Sequence, residues 1–91
     1  MKKYVIERSV NGIGGKDANG LSDVAKTSNG ALAKLQPRVQ WLESFVTADK
    51  TFCIYLAEDE AAIREHARLS GFPANIITEV VAVIDPSTAR N

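Results

Sequence analysis

Between Val39 and Ala57 the chain carries two β-rich runs, VQWLESFVT and KTFCIYLA, separated only by Ala48 and Asp49. Runs of β-branched and aromatic residues this close together pair as an antiparallel hairpin, here without the glycine that usually shapes so short a turn. The constraint on the fold is that neither run alternates cleanly between apolar and polar. With a two-residue turn, Phe45 lies opposite Phe52 and Trp41 opposite Leu56, and strand periodicity then sorts the side chains into two sets. Trp41, Glu43, Phe45, Phe52, Ile54 and Leu56 share one face, while Leu42, Ser44, Val46, Cys53, Tyr55 and Ala57 share the other. Both sets are largely apolar, so a sheet built on this hairpin needs cover on both sides.

The rest of the chain supplies cover for one side. Lys3 to Ser9 reads as a first strand carrying Tyr4, Val5 and Ile6. Val10 to Gly20 holds Gly12, Gly14, Gly15 and Gly20 among asparagines and reads as a mobile surface loop. Its GIGGKDANG run invites comparison with a phosphate cradle. However, Asp17 stands where the dinucleotide fingerprint needs glycine, and Gly-Lys-Asp stands where a Walker loop needs Gly-Lys-Ser/Thr. From Leu21 to Gln36 the residues Leu21, Val24, Ala25, Ser28, Leu32 and Leu35 fall at helical spacing, with Ser22 or Asn19 as the cap, a small break at Asn29-Gly30 and Pro37 as the stop. Glu58-Asp59-Glu60 opens a second helix at its electropositive end, and Gly71 followed by Pro73 closes it. Its inward candidates are Ala62, Ile63, His66, Ala67 and Ser70, and Ile76 to Ile84 reads as a last strand.

The element order is β-α-β-β-α-β, so the expected fold is α+β and ferredoxin-like, a four-stranded antiparallel sheet with both helices on one face. The 91 residues fit a single domain spanning 1–91. A chain of this size buries only about 60–65% of its unfolded surface, which makes association attractive. The uncovered apolar face therefore predicts a homodimer, sheet against sheet, with a dimeric α+β barrel-like interior. The face bearing Trp41 is assigned to the partner, because Cys53 and Ala57 on the other face are small enough to lie under helices.

Eleven basic and eleven acidic residues cancel, and no basic stripe interleaved with aromatics marks a nucleic-acid binder. No stretch approaches the ~20 apolar residues of a membrane span, and no signal peptide precedes the first strand. A lone cysteine cannot form an internal disulfide, and the expected location is the cytoplasm.

Four residues carry chemistry worth weighing. His66, the sole imidazole, sits at the border of its helix's apolar face, where the simplest reading is a half-buried side chain bonded to a backbone carbonyl, Glu65 or Glu60. Cys53 and Tyr55 share a strand face that looks toward that helix, a set that suits nickel, copper or zinc, although a central-strand cysteine is usually a small buried hydrophobe and no metal-binding spacing is present. Glu43 between Trp41 and Phe45 is a candidate general acid or base, or a rim residue of the dimer. No nucleophile elbow or paired catalytic carboxylates occur, so a binding role is favoured over an enzyme.

The run QWLESFVTADKTFCIYLAEDEAAIREHARLSGFPA, with KYVIERSVNG before it and EVVAVIDP after it, resembles a family of small bacterial ferredoxin-like domains of unknown function that includes a nickel-binding, nickel-responsive protein. The resemblance is carried by Trp41 with Ser44, Phe45 and Val46, by Cys53 and Tyr55, and by Arg64 to Ala67 with Gly71 to Ala74. It implies a homodimer and permits Ni2+ as ligand, for which this chain offers His66, Glu43 and Cys53 as metal ligands. Relatives often carry histidine where this chain has Glu43. The alternative is a small dimeric α+β barrel enzyme or small-molecule binder, in which Glu43, Tyr55 or His66 would transfer protons inside the inter-sheet cavity.

Overall fold

A computed structural model describes residues 1–90. The elements are β1 (Lys2–Ser9), α1 (Ala18–Leu35), β2 (Val39–Val46), β3 (Lys50–Ala57), α2 (Glu60–Ser70) and β4 (Ile76–Val80). They form a four-stranded sheet in the order β2-β3-β1-β4, antiparallel throughout. This is the ferredoxin-like arrangement expected from the element order. No helix among the described residues is long and apolar enough to cross a membrane.

Local chemistry explains the helix ends. The carboxylate of Asp17 accepts the Gly20 amide at 2.8 Å and starts α1 earlier than the expected cap at Asn19 or Ser22. The helix continues through Asn29-Gly30 without a break. Asp59 caps α2 by accepting the Ala62 amide, and Gly71, at φ 78°, ends it in the left-handed conformation that glycine adopts without strain. Ala62, Ile63 and His66 are the fully hidden face of α2.

Burial along β3 alternates strictly, with Thr51, Cys53, Tyr55 and Ala57 hidden beneath the helices. Tyr4 and Ile6 from β1 join them, and Leu32, Leu35 and Ile63 close the core from above. Each large aliphatic side chain in this set contributes about 1.5–3 kcal/mol by leaving water. The opposite face carries Val5, Phe45, Phe52, Ile54, Leu56 and Val80, and among the described residues no element covers it. Phe45 at 55% and Ile76 at 52% are the most exposed apolar side chains of that face.

Two expectations fail for identifiable reasons. The hairpin register is as anticipated from Val46↔Thr51 to Glu43↔Ile54, but a bulge then makes Trp41 the partner of Tyr55 instead of Leu56. The additional residue is Leu42, which points away from the core at 48% exposure, and the insertion moves Trp41 from the open face to the helix face. Strict alternation has no means of anticipating one unpaired residue. The last strand is also shorter than expected, ending at Val80 opposite Lys3. Val81, Val83 and Ile84 run on outside the sheet, because β1 offers no ladder beyond that pair.

The glycine-rich segment is docked rather than free. Ile13 is buried within a tight helical turn over Ile13–Gly15, and the Gly14 amide donates to the Ala48 carbonyl at 2.9 Å. Asp49 in the hairpin turn accepts the Gly12 amide in return. A Cβ on Gly14 would lie 2.5 Å from the Thr47 carbonyl oxygen, whereas one on Gly15 would meet nothing. Gly14→Ala should therefore destabilise the fold by about 1–3 kcal/mol and Gly15→Ala by much less. Equal urea midpoints for the two variants would show that this contact does not matter.

Candidate functional site

The N-terminal half of α1 does not seal against the sheet. Leu21, Val24 and Ala25 are only half-buried, and they roof a cavity of about 350 Å³. Its floor includes Trp41 and Ser44 from β2 and Thr51, Cys53 and Tyr55 from β3, while Val10, Ile13 and Phe72 come from the flanking loops. The bulge at Leu42 makes this wall possible, since it brings Trp41 to the same side as Ser44. The indole N–H then donates to Ser44 Oγ at 2.9 Å, which satisfies a group that would otherwise be stranded.

One end of the cavity is polar. Arg8 continues the inward register of Tyr4 and Ile6, so the sheet carries its guanidinium under the helices, where the residue is 3% exposed. Its Nη1 donates to the Pro73 carbonyl at 2.8 Å and, more weakly, to Phe72 at 3.4 Å, while Nη2 has no partner. The guanidinium carbon lies 5.8 Å from the centre of the Tyr55 ring. The Tyr55 hydroxyl is 3.4 Å from Ser28 Oγ, which is itself 3.2 Å from His66 Nε2. The Tyr55 and His66 rings meet edge to face at 5.1 Å.

Burial sets the charge states of this network. His66 is fully enclosed, and desolvation, reinforced by the nearby Arg8 cation, pushes its pKa down to about 4, so the imidazole is neutral at pH 7. Burial pushes the Tyr55 phenol up, against the opposing effects of its bond to Ser28 and the Arg8 charge. Among the described residues the buried permanent charge at this end is Arg8.

The expected metal ligands do not converge. His66 meets Ser28, through its Oγ at 3.2 Å and its backbone, rather than Glu65 or Glu60, and has no exposed surface. Cys53 is 5% exposed, with its thiol directed to Thr51 Oγ1 at 3.5 Å. Glu43 lies exposed on the opposite face of the sheet. Among the described residues no three His, Cys, Asp or Glu side chains are grouped to hold a metal ion. The alternative proton-transfer set is divided by the same sheet, with Tyr55 and His66 on one side and Glu43 on the other. Arg8 and Ser28 were not among the expected site residues. The available signal was spacing, because Arg8 sits two residues beyond Ile6 on a register of buried side chains.

An antiparallel sheet with both helices on one face describes a small ferredoxin-like α+β domain. Comparison with known proteins makes the class specific: the family described as nickel responsive protein, SCO4226-like, matches residues 4–80, and the chain belongs to that family. The crystal structure of SCO4226 from Streptomyces coelicolor A3(2) has the same fold, with a TM-score of 0.74 at 14% identity, covering 90% of this chain and 99% of that one. No curated protein matches the sequence.

The enclosed imidazole has a pH signature. The unfolded chain takes up a proton near the ordinary histidine pKa of 6.5 while the fold resists protonation down to about 4. Stability is therefore fully present above pH 6.5 and lost as pH falls toward 4, by on the order of 3 kcal/mol. His66→Gln should flatten that part of the pH profile of urea unfolding. An unchanged slope would place the titrating group elsewhere.

Proposed function

We propose that this protein is a cytoplasmic homodimer, one domain per chain, that binds a divalent transition metal, with nickel the favoured ion. The observation that carries the metal reading is the family match over residues 4–80. The geometry narrows it. Of the three expected ligands Glu43 is the solvent-exposed one, whereas Cys53 is buried on the floor of the cavity and His66 is fully enclosed. A carboxylate is an adequate but weaker ligand than imidazole for nickel, and a single carboxylate makes no site. Glu43 stands on the open apolar face, where a second copy would bring further oxygen ligands beside it.

Pairing through that face is supported by the uncovered Phe45, Phe52, Ile54 and Leu56, a patch of the kind that marks association surfaces. The exposed Val81, Val83 and Ile84 extend the apolar surface beyond the sheet. An isologous contact between identical sheet faces would cover it with no further protein.

Light scattering should find twice the 9.8 kDa chain mass for the native protein and a monomer for Phe52→Glu. A monomeric native protein across micromolar concentrations removes the pairing. Calorimetric titration with nickel chloride should give saturable heat that is lost in Glu43→Ala and kept in His66→Gln. Absence of heat in the native protein overturns the metal reading, and heat that survives Glu43→Ala but not His66→Gln moves the site inside the subunit.

A further inference from the structure

We propose that the cavity beneath the first half of α1 binds a small amphipathic carboxylate, with the carboxylate at Arg8 and the apolar body between α1 and Trp41. The inference concerns the covered side of the sheet and stands apart from the metal reading, which concerns the open side.

The buried cation is the starting point. Among the described residues Arg8 makes no ion pair, although surface Lys50, Arg38, Arg64 and Arg68 all do. A guanidinium with five donors, removed from water, with two backbone carbonyls on one nitrogen and nothing on another, is an unbalanced arrangement. Proteins bury charge when it is paired, and the missing partner here is an anion.

The cavity walls define the rest of the ligand. The charged residues that line it are Arg8 and Lys16, both cationic, and no carboxylate or imidazole faces the space to attract a metal ion. Leu21, Val24, Ala25 and Val46 make the remainder largely apolar. About 350 Å³ lies within the usual range of small-molecule pockets. A single buried guanidinium balances one negative charge, which favours a monocarboxylate over a phosphate dianion. The Tyr55 hydroxyl, 3.4 Å from Ser28 Oγ and hydrogen-bonded in part to the Arg8 side chain, supplies a second polar group beside Arg8. The phenol remains protonated because burial raises its pKa, and it can therefore donate. A free carboxylic acid with a short aliphatic or aromatic body satisfies all of these features, whereas a neutral alcohol of the same body satisfies only the apolar ones.

Octanoate and octan-1-ol separate these contributions because their chains match. Calorimetry on the intact protein should show octanoate binding about tenfold or more tightly than octan-1-ol, the worth of one charge-assisted hydrogen bond. The amide and indole N–H resonances that shift should be those of Trp41, Ser28 and their neighbours. Arg8→Met should abolish the preference for the acid while leaving the alcohol's affinity within a few fold, and Ala25→Phe, which fills the cavity, should remove both. The native protein alone decides the matter if Arg8→Met fails to fold. Octan-1-ol binding as tightly as octanoate, shifts confined to the open sheet face, or no saturable binding of octanoate up to millimolar concentrations would each overturn the proposal.

Discussion

The two helices of this protein can cover one face of the sheet, yet both faces are apolar. Every other feature follows from how that mismatch is divided. The side bearing Tyr4, Ile6, Cys53, Tyr55 and Ala57 takes the helices and becomes the core. Among the described residues no element covers Phe45, Phe52, Ile54 and Leu56 on the other side. The small side chains of Cys53 and Ala57 allow the helices to approach closely, while bulky side chains on the outer face increase the area available for association.

The bulge at Leu42 changes the balance between the two sides. Without it Trp41 would add its area to the open face. With it the indole turns under α1, bonds Ser44 and holds a wall away from the helix, leaving space where a continuous core would otherwise form. Close packing is the normal condition of protein interiors, so a cavity of this size bordered by an aromatic wall and a buried cation has the character of a site. The tight turn at Ile13–Gly15, locked to the hairpin through Gly14 and Asp49, keeps the loop end of that space in place.

Electrostatics inside the covered half are governed by Arg8. Desolvation, reinforced by the Arg8 charge, keeps His66 neutral, and the imidazole is committed to Ser28. A histidine in that position stabilises the junction of α1, α2 and β3 and is not presented to solvent as a ligand. The same fold therefore separates two chemistries by the thickness of one sheet: an acidic, solvent-facing position at Glu43 and a cationic, enclosed one at Arg8.

The amino-acid sequence by itself determined the element order, the hairpin with its Ala48-Asp49 turn, the stop of α2 at Gly71 and the apolar character of both sheet faces. Each depends on local periodicity or turn chemistry within a few residues. It also grouped Cys53, Tyr55 and Ala57 on one face, without fixing which face meets the helices. Only the tertiary structure decided that Trp41 joins them, because a one-residue bulge reverses the facing of every side chain beyond it. Likewise only the fold brings Ser28 to Tyr55 and His66, which lie 27 and 38 residues away along the chain. Whether Arg8 ends in water or under a helix, and whether Glu43 and His66 meet, depends on which face each strand turns inward. Spacing puts Arg8 on the same face of β1 as Ile6, but which face is covered is decided by packing between distant segments.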